Sequence, residues 1–171
     1  MDSYILNVAT QIIIQAIAAY GLNVIVGNAG QISLGHAAFV GIGAYSAAML
    51  TTAAGFTFWQ SLPISVIIVA AVGLLCGLPS LRVREDFLAI TTIGINFIVV
   101  AIFQYTPALG GALGIGGIPR ARFFGTVLKA PGYFALCLAF LVLAMAVCRF
   151  FTCSWSGLSC FAVREEETAA S

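Results

Sequence analysis

The strongest constraint on this chain is a long segment without charge. Between Asp2 and Arg82 the sequence contains no Lys, Arg, Asp or Glu. Of the 171 residues, 61% are hydrophobic and 8% are charged, whereas soluble domains carry about a quarter of charged residues. So few charges cannot cover the surface of a soluble domain of this length. The composition therefore predicts a chain whose solvent is lipid and excludes a disordered segment. The net charge of +1 without a basic patch excludes a nucleic-acid-binding protein.

The N-terminus and the cysteines exclude two further classes. No basic residue precedes the first apolar run, which continues past any cleavage site, so we do not expect a signal peptide. The five cysteines are odd in number and include no Cys-x-x-Cys pair. They predict buried, small apolar side chains rather than a disulfide framework or a zinc site.

Long apolar runs predict an all-α fold, a polytopic transmembrane helix bundle, because short alternating segments would mark a barrel. We predict a single transmembrane domain over residues 1–171 with about five membrane helices, at residues 4–26, 33–54, 63–81, 87–105 and 132–151. Pro63 is placed in the first turn of the third helix. A glycine-rich loop follows at 106–131 and a tail at 152–171.

Positive charge predicts the orientation, since the side richer in Lys and Arg faces the cytoplasm. One side of the five-helix arrangement carries Arg82, Arg84, Arg149 and Arg164, and the other carries Arg120, Arg122 and Lys129. The N-terminus is therefore predicted outside and the tail in the cytoplasm.

Small residues recur at helical spacing in the second and third helices. They are Ala37, Gly41, Gly43, Ala47, Gly73 and Gly77. Such residues let a neighbouring helix backbone approach closely, and they predict a packed bundle.

No constellation of residues predicts catalysis. His36 is the only histidine, and Ser33 lies one turn away, but the serine misses the Gly-x-Ser-x-Gly pattern by one position and no acidic residue completes a triad. We therefore expect a structural histidine and no metal site. Lys129 is followed by Ala130 and not by the Ser or Thr of a P-loop, so nucleotide hydrolysis by this chain is not expected.

Residues 21–50, GLNVIVGNAGQISLGHAAFVGIGAYSAAML, resemble the permease subunits of branched-chain amino acid ABC transporters. The family pattern Gly-x-x-Gly-Gln-x-Ser-x-Gly-His-x-x-Phe-x-x-x-Gly-Ala-Tyr is matched in register from Gly27 to Tyr45. Residues 87–94, FLAITTIG, resemble the next family segment, and residues 114–119, GIGGIP, resemble the end of its glycine-rich loop.

The resemblance implies a role for the tail and for several polar residues. It places the approach to the ATPase-coupling loop at Arg164, Glu165, Glu166, Glu167, Ala169 and Ala170. It makes Asn23, Gln31, Ser33 and His36 candidates for structuring the second helix and the pathway. Leu158, Ser159 and Cys160 depart from the Arg-Ala-Leu of typical members, and the match implies about the first half of such a member, truncated at its C-terminus.

The implied assembly is an importer in the cytoplasmic membrane of a bacterium or an archaeon. In such importers two permease subunits form the pathway, ATPase subunits bind the ATP, and an extracytoplasmic binding protein delivers the amino acid. This chain would then be a multi-pass permease subunit without a cofactor of its own.

Three alternatives stay open. The chain could be a membrane-interaction protein that does not transport, or an inactive truncated permease. A membrane enzyme would need convergent acids, bases or metal ligands at membrane depth, which this composition does not offer.

Overall fold

The structure is a computed structural model that describes residues 2–28, 30–31, 33–80, 85–123, 126–155 and 157–158. The described residues contain five α-helices, namely α1 (Asp2–Asn23), α2 (His36–Thr52), α3 (Phe58–Ser80), α4 (Glu85–Tyr105) and α5 (Ala130–Thr152). The all-α fold predicted from composition is thereby confirmed. The chain divides into two compact units, residues 1–32 with 128–171, and residues 33–127.

Three segments among the described residues can cross a bilayer by length and composition. They are Tyr4–Asn28, Phe58–Gly77 and Ala130–Thr152. A fourth is possible if residues 89–105 of α4 and the turn Pro107–Leu113, which bends away by 87°, count as one broken span. With 17 residues, α2 is about 25 Å long and shorter than a hydrocarbon core of about 30 Å. By length and composition, the described residues thus contain three to four candidate spans among their five helices.

The third helix starts five residues earlier than predicted, and Pro63 lies inside it rather than in its first turn. Its N-terminus is closed by a capping interaction instead. Gln60 Oε1 accepts hydrogen bonds from the backbone N–H and the hydroxyl of Thr57, at 3.2 and 3.0 Å. This Thr-x-x-Gln arrangement is a recognised helix-start signal. The third helix therefore begins at this cap and not at the proline.

Burial in both units is the reverse of that in a soluble protein. The buried residues are small, such as Ala38 and Ser61, whose exposed fractions are 2% and 1%. Large apolar side chains point outward, and Leu74 in the middle of α3 is 70% exposed. In water such helices would have to bury their apolar surface, whereas in lipid they pack through small residues.

In the first unit α1 packs along α5, and a π-helical turn, Val24–Asn28, extends α1 and also contacts α5. The Cys148 thiol donates a weak hydrogen bond to the Tyr20 carbonyl oxygen at 3.9 Å, close to the C-terminal ends of both helices. Pro131 lies in the first turn of α5, where its missing N–H costs nothing.

In the second unit α2 packs against α3 and α4, which also contact each other. The predicted loop at 106–131 is partly ordered into two short 3₁₀ turns and a two-stranded antiparallel hairpin, β1 (Arg122–Phe123) and β2 (Thr126–Val127). The Trp59 indole N–H donates to the Arg122 carbonyl oxygen at 2.9 Å, and its ring packs 5.5 Å from that of Phe123. This contact holds the hairpin against the start of α3.

Candidate functional site

The two sequence motifs that carry the family resemblance meet in the second unit. The backbone N–H of Leu34 donates to the Thr92 hydroxyl at 3.1 Å, although the two residues are 58 positions apart. That hydroxyl in turn donates to the Ala89 carbonyl oxygen at 2.9 Å, which fixes its orientation. The segment that leads into α2 is thus tied to the second turn of α4.

Gly35 allows this close approach. It is buried, and a Cβ atom added there would lie 3.0 Å from the backbone oxygen of Thr92. That separation is tighter than ordinary van der Waals contact, and the neighbour is backbone that cannot rotate away. A side chain at position 35 would therefore force the Thr92 backbone to move by a few tenths of an ångström.

Farther along, α2 packs on α4 through an aromatic pair. The rings of Tyr45 and Phe103 stack with centroids 3.9 Å apart and an interplanar angle of 9°. A Cβ atom at Gly41 would lie 3.2 Å from Phe103 Cε2. The absence of a side chain at Gly41 therefore makes room for the ring.

The other predicted packing residues of α2 and α3 differ in how close their neighbours are. A Cβ at Gly43 would lie 3.4 Å from Val69 Cγ2, and one at Gly73 would lie 3.9 Å from Phe39 Cε1. Ala47 lines an apolar groove of about 500 Å³ between α2 and α3, and Ala37 is exposed. At Gly77 a Cβ would meet no atom of the described residues within 4 Å.

The structure distributes the predicted pathway residues over both units. Ser33 and His36 are half-buried and flank the Leu34–Thr92 contact, and Gln31 is exposed. In the first unit Asn23 ends α1, and its Oδ1 would lie 2.7 Å from a Cβ built at Gly27. The predicted coupling residues, Arg164, Glu165, Glu166, Glu167, Ala169 and Ala170, lie outside the described residues.

A basic cleft that sequence reasoning did not find lies at the hairpin end of the second unit. Its volume is about 790 Å³, and it is lined by Thr51, Gly55, Phe56, Thr57, Phe58, Trp59, Pro119, Arg120, Arg122 and Val127. Two arginines opposite aromatic rings can bind carboxylates or acidic side chains. The sequence features that could have indicated this cleft are the aromatic residues Phe58 and Trp59 at the start of α3 and the two arginines in the glycine-rich loop.

Within the described parts of the chain, no three His, Cys, Asp or Glu side chains come together to form a possible metal site. The apolar helices and their contacts through small residues are those of a multi-pass membrane protein, and the two segments joined by the Leu34–Thr92 hydrogen bond are the ones that resemble a permease family.

Comparison with known proteins identifies the family. Residues 4–171 match the family described as branched-chain amino acid transport system, permease component. The chain belongs to this family, as the resemblance predicted.

Two relatives carry the name high-affinity branched-chain amino acid transport system permease protein LivM. The one from Escherichia coli (strain K12) is 43% identical over 120 residues, and the one from Salmonella typhimurium (strain LT2) is 42% identical over the same length. The alignment covers 70% of this chain and 28% of each relative. No solved structure matches the chain.

Proposed function

We propose that the chain acts as part of the permease of an ABC importer for branched-chain amino acids in a bacterial or archaeal cytoplasmic membrane. The observation that carries this proposal is the family match over residues 4–171, together with the names of the two LivM relatives. The relatives are transport permeases, a class of protein that is not enzymatic. The spans and outward-facing apolar side chains agree with a multi-pass membrane protein.

The joined motifs support a pathway role for the start of α2. Polar groups at membrane depth are costly and are retained where they line a pathway or bond across helices. Ser33 and His36 lie beside the hydrogen bond between Leu34 and Thr92. In the proposed mechanism the hydrogen bond between Leu34 and Thr92 holds the start of α2 on α4, so that the two helices move as one body when the importer changes between inward-open and outward-open states.

In this proposal the energy for transport comes from ATP that partner subunits bind. ATP is bound by separate ATPase subunits, which dock on the tail around residues 164–170, and a second permease subunit completes the pathway. An extracytoplasmic binding protein delivers the amino acid to the side that carries Arg120 and Arg122. The cleft beside Trp59 suits acidic groups on such a protein, since both arginines are exposed there.

Charge reversal in the tail tests this arrangement. The triple variant Glu165→Lys, Glu166→Lys, Glu167→Lys is expected to lower co-purification of the ATPase by about tenfold, equivalent to about 1.4 kcal/mol, because the docking surface would carry the wrong charge. The matched control, Arg120→Glu with Arg122→Glu, changes charge at the other predicted face and should leave co-purification unchanged. Undiminished co-purification and leucine uptake in the tail variant would contradict the proposed coupling role.

A further inference from the structure

A second cleft, in the first unit, has the composition of an anion site. It lies between the C-terminal ends of α1 and α5 and has a volume of about 390 Å³, within the usual range for ligand pockets of about 300–1,000 Å³. It is lined by Tyr20, Asn23, Val24, Asn28, Met145, Cys148, Arg149 and Thr152. The family motif of residues 27–45 does not account for this set, because most of its members come from α1 and α5.

Asn28 is the feature that points to a ligand. Only 7% of its surface is exposed, and its Nδ2 is buried without a hydrogen-bond partner among the described residues. A buried donor left without a partner destabilises the fold, so its retention needs a reason. The π-helical turn Val24–Asn28 carries this amide to the cleft, and such turns are frequent at functional sites.

Arg149 supplies the charge. It lies in the last turn of α5, is exposed and lines the same cleft. Its guanidinium has donors only and matches the geometry of phosphate oxygens. The neighbouring Thr152 hydroxyl already donates to the Arg149 carbonyl oxygen at 2.8 Å, whereas Arg149 and Asn28 are donors that a ligand can use, beside the Asn23 amide and the Tyr20 hydroxyl of the same lining. The partial negative charge of the two helix C-termini disfavours an anion, so the site depends on the positive charge of Arg149.

The depth of the cleft identifies the source of the anion. The spans Tyr4–Asn28 and Ala130–Thr152 both end at it, which puts it at the boundary between hydrocarbon and headgroups. Phospholipid phosphates lie at this depth, and basic pockets between membrane helices bind such groups. We propose that the cleft between the ends of α1 and α5 binds the phosphate of a membrane phospholipid through Arg149 and Asn28.

Native mass spectrometry of the full chain in detergent tests this proposal, with phosphatidylglycerol added back after delipidation. We expect one tightly held lipid in the unmodified protein and about tenfold weaker retention in Arg149→Gln, equivalent to about 1.4 kcal/mol, because the charge-assisted hydrogen bonds to the phosphate are lost. The matched control is Lys129→Gln at the opposite end of α5, which should retain the lipid. Equal retention in Arg149→Gln and the unmodified protein would overturn the proposal.

Two further measurements keep the test decisive if Arg149→Gln does not fold. Asn28→Leu removes the unpaired donor, so it should weaken lipid retention without lowering the melting temperature of the delipidated protein. Lipid retention unchanged by this variant would contradict a binding role for the amide. Excess inorganic phosphate should not displace the lipid, and displacement would assign the cleft to a free anion instead.

Discussion

At the residue scale, Thr92 is the side chain on which the joined motifs depend. Its hydroxyl accepts from Leu34 and donates to Ala89, so one side chain connects the start of α2 to α4. Thr91, its neighbour in sequence, donates only within α4, to the Phe87 carbonyl oxygen at 2.9 Å. Two adjacent threonines in the same motif therefore have different structural tasks, which a matched pair of substitutions can separate.

Thr92→Val keeps the shape of the side chain and removes the hydroxyl. We expect a loss of about 0.5–1 kcal/mol in the free energy of unfolding, because the Leu34 N–H loses its acceptor and interhelical hydrogen bonds in membranes contribute modestly. Thermal unfolding in detergent, followed by tryptophan fluorescence, measures the change. Thr92→Ser should restore stability and Thr91→Val should cost less, whereas equal losses for both valine variants would contradict the interhelical role.

At the scale of elements, glycines decide which helix faces can meet. Gly35 and Gly41 bring α2 against α4, and a Cβ at either position would lie so close to Thr92 or Phe103 that the neighbour would have to shift. Gly77 occurs at the same kind of spacing in α3, yet no described atom lies within 4 Å of a Cβ built there. Spacing alone predicts that small residues pack, but not which of them have a neighbour.

The matched variants Gly41→Leu and Gly77→Leu measure this difference. Both gain helix propensity equally, so the difference between them reports packing. We expect Gly41→Leu to lose about 1–3 kcal/mol relative to Gly77→Leu, since it forces Phe103 out of its stack on Tyr45. Melting temperatures of the two purified variants provide the comparison, and equal values would show that Gly41 does not set the distance between α2 and α4.

Much of the helical framework follows from the sequence because apolar runs and membrane thickness constrain it strongly. The predicted start of α3 at Pro63 is wrong, because the Thr57–Gln60 cap begins the helix five residues earlier. The π-helical turn was not predicted, since Val24–Asn28 reads as an ordinary helix end. The hairpin at 122–127 was missed because its strands have two residues each and are held by the distant Trp59.

The candidate site was only partly predictable. The resemblance singled out Ser33 and His36, but a contact between residues as distant as Leu34 and Thr92 depends on tertiary packing that no local pattern encodes. The sequence around Asn28 does not indicate a binding site, because an asparagine followed two residues later by a glycine is typical of a turn. Its burial beside α5 is visible only in three dimensions.

At the scale of the whole molecule, charge and span positions together predict an orientation. Arg149 ends the apolar α5, whereas Arg120 and Arg122 lie in the hairpin region of the second unit. In the five-crossing arrangement predicted from the sequence, positive charge favours the cytoplasm for the side that includes Arg84, Arg149 and Arg164. In that orientation the basic cleft beside Trp59 opens to the outside, where a binding protein would reach it.

The orientation of the chain in the membrane can be measured by cysteine accessibility. Single cysteines are introduced by Arg120→Cys or Arg84→Cys in a background without the five native cysteines, and intact cells are treated with a membrane-impermeant thiol reagent. We expect labelling at position 120 in intact cells, and labelling at position 84 only after the membrane is permeabilised. Labelling at position 84 but not at 120 in intact cells would contradict the orientation on which the proposed import mechanism rests.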